Sequence, residues 1–131
     1  MPVLHRALDE TYPGEVRHNI TKLTLARTAA NACFRFAPAF LATIAGGLGI
    51  SLDRLGVALA ISELSGLLST TTGSVAERLH RRTAMWVGLV GVAMGATLAA
   101  ASTHVVVFTI ALVVIAQSKV MFDLGLGAFM A

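Results

Sequence analysis

The chain has 131 residues and a formal net charge of +3, and 56% of its residues are hydrophobic while only 13% are charged. A soluble domain of this length needs a wide charged surface, which this composition does not supply. Most charged residues lie in the first 22 positions and around positions 77–82, with long apolar segments beside them. Charges that flank apolar runs are typical of segments buried in lipid, so the composition predicts an integral membrane protein.

A polar segment, residues 1–22, opens the chain and is too hydrophilic for a signal peptide, so we expect a cytoplasmic tail there. A helix that crosses the hydrocarbon core of a bilayer needs about 20 residues. Four apolar segments of sufficient length follow the tail, at about 23–48, 55–76, 83–101 and 104–127. The links between them are short, which makes neighbouring helices antiparallel. The sequence therefore predicts an all-α membrane protein with four antiparallel transmembrane helices.

The basic residues outside the four spans indicate the orientation. The link between the first two spans holds only Arg54, whereas the tail and the link between the second and third spans hold Arg6, Arg17, Lys22, Arg78, Arg81 and Arg82. Segments rich in Lys and Arg stay in the cytoplasm. We therefore expect a multi-pass protein of the cell membrane with a cytoplasmic N-terminus. The same distribution argues against a nucleic-acid partner, because the cations are neither clustered on a soluble face nor interleaved with aromatics.

Two charged residues fall near the middle of predicted spans. Arg35 lies roughly 16 Å from the cytoplasmic end of the first span, and Glu63 lies roughly 20 Å from that end of the second. A charge in hydrocarbon costs about 3 kcal/mol on insertion scales, so each needs a partner or a water-filled path. The two residues form either a structural ion pair or part of a substrate or proton pathway, and we favour the pathway. Asn31, one helical turn from Arg35, is a further pathway candidate.

Small residues predict where the spans meet other helices. On the second span, one face combines an acid, small residues and a hydroxyl at spacings of three and four: Glu63, Gly66, Thr70, Gly73 and Glu77. On the third span, the same spacing joins Gly88, Gly91 and Gly95. Small residues let helix backbones approach closely, so we expect both faces to contact protein rather than lipid.

Two further local features are expected within the spans. Pro38 removes a backbone hydrogen bond from the first span, so a kink is predicted there. Lys119 and Asp123 are four residues apart on the fourth span and are predicted to form a structural ion pair on one helix face.

The link between the second and third spans, residues 73–82, reads GSVAERLHRR. It resembles the loop signature of the major facilitator superfamily, which runs glycine, any residue, leucine, alanine, aspartate, arginine, any residue, glycine and two basic residues. Glu77 replaces the aspartate, Val75 the leucine and His80 the second glycine. The matching positions are Gly73, Ala76, Arg78, Arg81 and Arg82. Residues 36–40, 52–56 and 119–123 also look like pieces of that family.

The resemblance covers residues 20–131 and implies part of a secondary transporter, in which two six-helix halves move a small solute by alternating access. We expect this transport to be coupled to protons. In that family the loop acid engages a helix of the other half and stabilises one state of the gate. The resemblance gives this role to Glu77, with Arg78 and Arg81 as its local partners. Four helices do not complete a six-helix half, so we expect a fragment whose partners are the remaining helices, the bilayer, a solute and protons.

Two alternatives stay open. One is a complete four-helix transporter that dimerises, like the small multidrug resistance proteins, although those carry their essential glutamate on the first helix and Glu63 lies on the second. The other is a non-transporting membrane subunit, in which the basic link is only a topology signal. The sequence shows no nucleophile–base pair, metal-ligand spacing or phosphate-binding loop, so we expect no enzyme activity, no metal and no cofactor.

Overall fold

The computed structural model of the protein describes residues 13–130, with side chains described as far as residue 127. Its elements in chain order are α1 (Gly14–Ala39), α2 (Leu41–Leu48), α3 (Leu52–Leu64), a 3₁₀ turn (Ser65–Leu68), α4 (Ser69–Arg78), α5 (Arg81–Ala101) and α6 (Val105–Met130). No strand forms within residues 13–130. The predicted all-α fold is confirmed.

Three helical segments are long and apolar enough to cross a membrane. They are Leu52–Arg78, which joins α3, the 3₁₀ turn and α4, followed by Arg81–Ala101 and Val105–Gly127. Large apolar side chains on these segments are exposed, among them Leu67 at 77% and Met94 at 65%. Contiguous exposed apolar surface suits hydrocarbon better than water. These three helices support the expectation of a membrane protein and match the second, third and fourth predicted spans.

The first predicted span differs most from the structure. Helix α1 begins at Gly14, inside the segment expected to be a tail, and Phe40, with φ −117° and ψ 25°, separates it from α2. The break follows Pro38, where a kink was predicted because proline lacks the backbone N–H. Division at Phe40 leaves the apolar residues in two helices, and neither α1 nor α2 has the length and hydropathy of a span. Residues 1–12 of the predicted tail lie outside the described residues.

Helix α6 forms the centre of the bundle, since it packs against α1, α3, the 3₁₀ turn, α4 and α5. Its interface with α5 is the most extensive. A Cβ atom placed on Gly88 would lie 2.7 Å from the backbone N of Phe122, and one placed on Gly95 would lie 2.6 Å from Ile115 Cγ1. Gly91 lies against α6 in the same way. The predicted close approach of another helix to the three glycines is confirmed, and that helix is α6.

Two apolar clusters hold α1 and α2 to the rest of the bundle. Near the start of α6, Ala37 and Ala45 join a buried cluster with Leu55 and Phe108. Nearer the end of α6, Ala30 is buried with other members of a second cluster, Phe122 and Leu126. Because α1 contributes to both clusters, its position along α6 is fixed at two levels.

Candidate functional site

Neighbouring aromatic residues show the depth of Arg35. Phe36 packs edge-on against Phe108 near the start of α6, with ring centroids 6.4 Å apart. On the other side of Arg35 in sequence, the Phe34 ring centroid lies 5.6 Å from Lys119 Nζ, which belongs to the middle of α6. Arg35 is therefore level with the first half of α6. Its own side chain is exposed.

Glu63 lies at a similar depth. It precedes Ser65 by two residues, and the Ser65 carbonyl oxygen accepts a hydrogen bond from Gln117 Nε2 in the middle of α6 at 2.5 Å. Like Arg35, Glu63 is exposed, and within residues 13–127 neither residue belongs to an ion pair. The Arg35–Glu63 ion pair considered from the sequence is therefore not formed, because both side chains face away from the packed interior. Asn31 lies on the same helix as Arg35 and is half-buried.

The small-residue face predicted on the second span is open in this chain. Glu63, Gly66, Thr70 and Glu77 are exposed, and no atom would lie within 4 Å of a Cβ on Gly66. The residues that are buried instead lie on a neighbouring face: Leu55, Ala58, Ser62, Ser65 and Ala76. The remaining member of the predicted face, Gly73, lies against α6, since its added Cβ would lie 3.8 Å from Leu124 Cδ1. The expected protein contact is not formed within residues 13–127, because spacing identifies a face without identifying its partner.

A polar cluster that the sequence analysis did not identify joins the second span to α6. Gln117 Nε2 donates to the Ser65 carbonyl oxygen at 2.5 Å, and Thr72 Oγ1 donates to Gln117 Oε1 at 2.6 Å. Ser62 and Ser65 are buried, and each hydroxyl donates to a backbone carbonyl one turn earlier. The cluster lies at the 3₁₀ turn, where the helical hydrogen-bond pattern changes. The sequence feature that could have indicated this cluster is Gln117, because it is the one amide side chain in the strongly apolar α6.

The predicted ion pair on the fourth span is present. Lys119 Nζ lies 2.5 Å from Asp123 Oδ2, and both side chains are partly buried. The same ammonium group lies over the Phe34 ring, so it also contacts α1 through a cation–π interaction. This pair therefore connects two helices rather than only stabilising one turn of α6.

The basic link is short and makes its turn without a glycine. Helix α4 ends at Arg78 and α5 begins at Arg81, so only Leu79 and His80 lie between the two helices. Both have extended backbone, and His80 has φ −60° and ψ 134°. The glycine that the family pattern places at this position is therefore not needed for the turn, because any L-residue adopts these angles.

The charged residues of the link are distributed over two sides of it. Gly73, Glu77 and Arg81 line a cavity of about 330 Å³ together with Leu124 and Gly125. On another side, Arg82 lines a groove against α1, while Arg78 is exposed outside both. In the part of the chain that the structure describes, Glu77 forms no ion pair, so its expected local pairing with Arg78 and Arg81 is not formed.

Comparison with protein-family models, with curated proteins and with solved structures gives no match to this chain. The resemblance to the major facilitator superfamily therefore rests on residues 73–82 and on the shorter similar pieces around them. The exposure of Arg35 and Glu63 and the open face of Leu52–Arg78 are observations independent of that resemblance.

Proposed function

We propose that this chain is part of a secondary transporter of the major facilitator type, which moves a small solute across the cell membrane with proton coupling. The observation that carries the proposal is the exposure of two charges, Arg35 and Glu63, at similar depth along the bundle. Each charge facing hydrocarbon costs about 3 kcal/mol. A hydrated solute pathway removes that cost for both, and midspan charges commonly line such pathways.

The open face of the second span supports a role alongside further helices. Gly66 and Thr70 continue the face of Glu63 towards Glu77, and a Cβ on Gly66 would meet no atom within 4 Å. A small polar face of this kind packs poorly against lipid and well against another helix backbone. We propose that helices outside the described structure contact this face and complete the pathway beside Glu63.

The 3₁₀ turn gives the second span a place at which it bends. Glu63 lies two residues before the turn, and Gln117 holds the turn by its bond to the Ser65 carbonyl oxygen. A change of hydrogen-bond pattern within a helix often marks a hinge. Protonation of Glu63 removes a charge beside this hinge. We propose that this change in charge couples proton binding to movement of α4 and the basic link.

At the other end of the same span, the basic link supplies the proposed gate. Glu77 and Arg81 are exposed and line one cavity with Leu124 and Gly125, at the junction of α4, α5 and α6. A carboxylate at this junction is able to engage the positive N-terminus of an incoming helix. This is the role that the family resemblance gives to Glu77.

Glu63→Gln tests the proposal, because glutamine keeps the shape of the side chain and loses its proton chemistry. Cells expressing this chain within a complete transporter, together with the further helices that the proposal requires, are compared with vector controls for uptake and efflux of a panel of small solutes at two external pH values. We expect a solute-specific flux that Glu63→Gln abolishes or makes independent of pH. The matched control is Glu15→Gln, which neutralises an acid in the first turn of α1, outside the midspan region, and is expected to keep the flux.

The amount of each variant in the membrane is measured, and flux is compared per amount of protein, so that a difference in expression is not mistaken for a difference in transport. Unchanged flux and unchanged pH dependence in Glu63→Gln would reject its place in the pathway. A protein that moves none of the solutes would contradict the transport function itself.

A further inference from the structure

A groove between α1 and α5 has cationic side chains at one end and apolar side chains along the rest of its length. Its volume is about 570 Å³. Lys22 of α1 and Arg82 of α5 line it from opposite sides, and both side chains are exposed. Neither belongs to an ion pair among the described side chains, and no acidic residue lines the groove. Two unneutralised cations therefore lie on either side of the same opening.

The apolar residues of the groove follow the cations in the same direction on both helices. Leu23 follows Lys22 along α1, while Met85 and Leu89 follow Arg82 along α5. Because α1 and α5 run in the same direction along the groove, the cations lie at one end and the apolar side chains follow from them. These apolar residues also pack against the buried cluster around Phe122.

Trp86 places the cationic end at the membrane boundary. It lines the groove four residues after Arg82 and is 62% exposed. Tryptophan is enriched at the level of lipid headgroups, where its ring lies between apolar and hydrated surroundings. The groove is therefore amphipathic along its length, with its charged end at headgroup level and its apolar end at acyl-chain level.

We propose that this groove binds one anionic glycerophospholipid, with the phosphate between Lys22 and Arg82 and an acyl chain along Leu23, Met85 and Leu89. Charge complementarity selects an anionic lipid, and the order of polar and apolar residues along the groove matches the order of headgroup and chain in that molecule. The proposal does not depend on transport, because it requires only that α5 spans the bilayer.

The test uses Trp86, which is the only tryptophan of the chain. The full chain is placed in phosphatidylcholine nanodiscs that contain increasing amounts of phosphatidylglycerol with brominated acyl chains, and quenching of Trp86 fluorescence is measured. Brominated phosphatidylcholine provides the reference. Each surface cation typically strengthens binding of an anionic lipid about fivefold, so we expect phosphatidylglycerol to associate more than tenfold more strongly than phosphatidylcholine.

Variants separate the groove from general attraction to the basic surface. Lys22→Gln and Arg82→Gln are each expected to lower the preference for phosphatidylglycerol about fivefold, while quenching by brominated phosphatidylcholine stays unchanged. Arg78→Gln removes the same charge from the same link but does not line the groove, and it is expected to keep the preference.

Three results would overturn the proposal. Equal quenching by the two lipids would show that the groove does not select charge. An equal loss of preference in Arg78→Gln and Arg82→Gln would assign the preference to the whole basic surface. No quenching by either lipid would show that protein, either a second copy or a further helix, occupies the groove instead.

Discussion

Replacing Gly88 by alanine tests the close approach of α5 and α6. The added Cβ would lie 2.7 Å from the backbone N of Phe122 and 2.8 Å from the backbone O of Ser118. Neither backbone atom is able to rotate away, and ordinary contact begins at 3.4 Å. The helices must therefore separate locally by about 0.7 Å, a gap that removes roughly a quarter to a half of the dispersion energy between facing atoms.

Overfilling a packed interface costs about 1–3 kcal/mol, so we expect Gly88→Ala to lower the free energy of unfolding by that amount. The matched control is Gly56→Ala on α3, where no atom would lie within 4 Å of the new Cβ. Its expected effect is between zero and a gain of about 1 kcal/mol, because alanine favours helix. Titration with SDS in mixed micelles, monitored by circular dichroism, measures the free energy of unfolding of both variants. Equal midpoints for the two variants would refute the α5–α6 contact described above.

The same titration measures the two interhelical polar contacts. Gln117→Leu removes the bonds to Ser65 and Thr72 and is expected to cost about 0.5–2 kcal/mol, so a stability equal to that of the original protein would contradict the cluster. Lys119→Met leaves the carboxylate of Asp123 partly buried and unpaired and is expected to cost about 1–3 kcal/mol, most of which the double variant with Asp123→Leu regains. Purely additive losses in the double variant would show that the two side chains do not interact.

The sequence predicted contacts best where both partners are in the described chain. The spacing of Gly88, Gly91 and Gly95 correctly predicted a close helix contact, because only a backbone approach uses three stacked glycines on one face. The spacing of Glu63, Gly66 and Thr70 is the same kind of signal, yet that face is open. Periodicity reports which residues share a face, while the partner of that face depends on how the other helices pack.

The start and the break of the first helix were harder to predict. Hydropathy placed a boundary at residue 23, whereas the backbone is helical from Gly14. A change in hydropathy marks the edge of the apolar run and not the start of the helix, and Glu15, Arg17 and Lys22 favour helix before that edge. Pro38 correctly indicated a distortion, but not that Phe40 would divide the helix in two. The cluster around Gln117 was missed because an uncharged amide on an apolar helix changes hydropathy little, while its hydrogen bonds connect residues more than 40 positions apart.

Labelling of single cysteines in intact cells tests most directly the claim that this chain spans the membrane with its basic link inside. Cys33 is the only cysteine, so Cys33→Ala gives a background without thiols. In that background, Asp53→Cys lies in the first turn of α3, and His80→Cys lies in the basic link. We predict that a membrane-impermeant maleimide labels position 53 in intact cells and position 80 only after permeabilisation. Labelling of position 80 in intact cells would contradict the account.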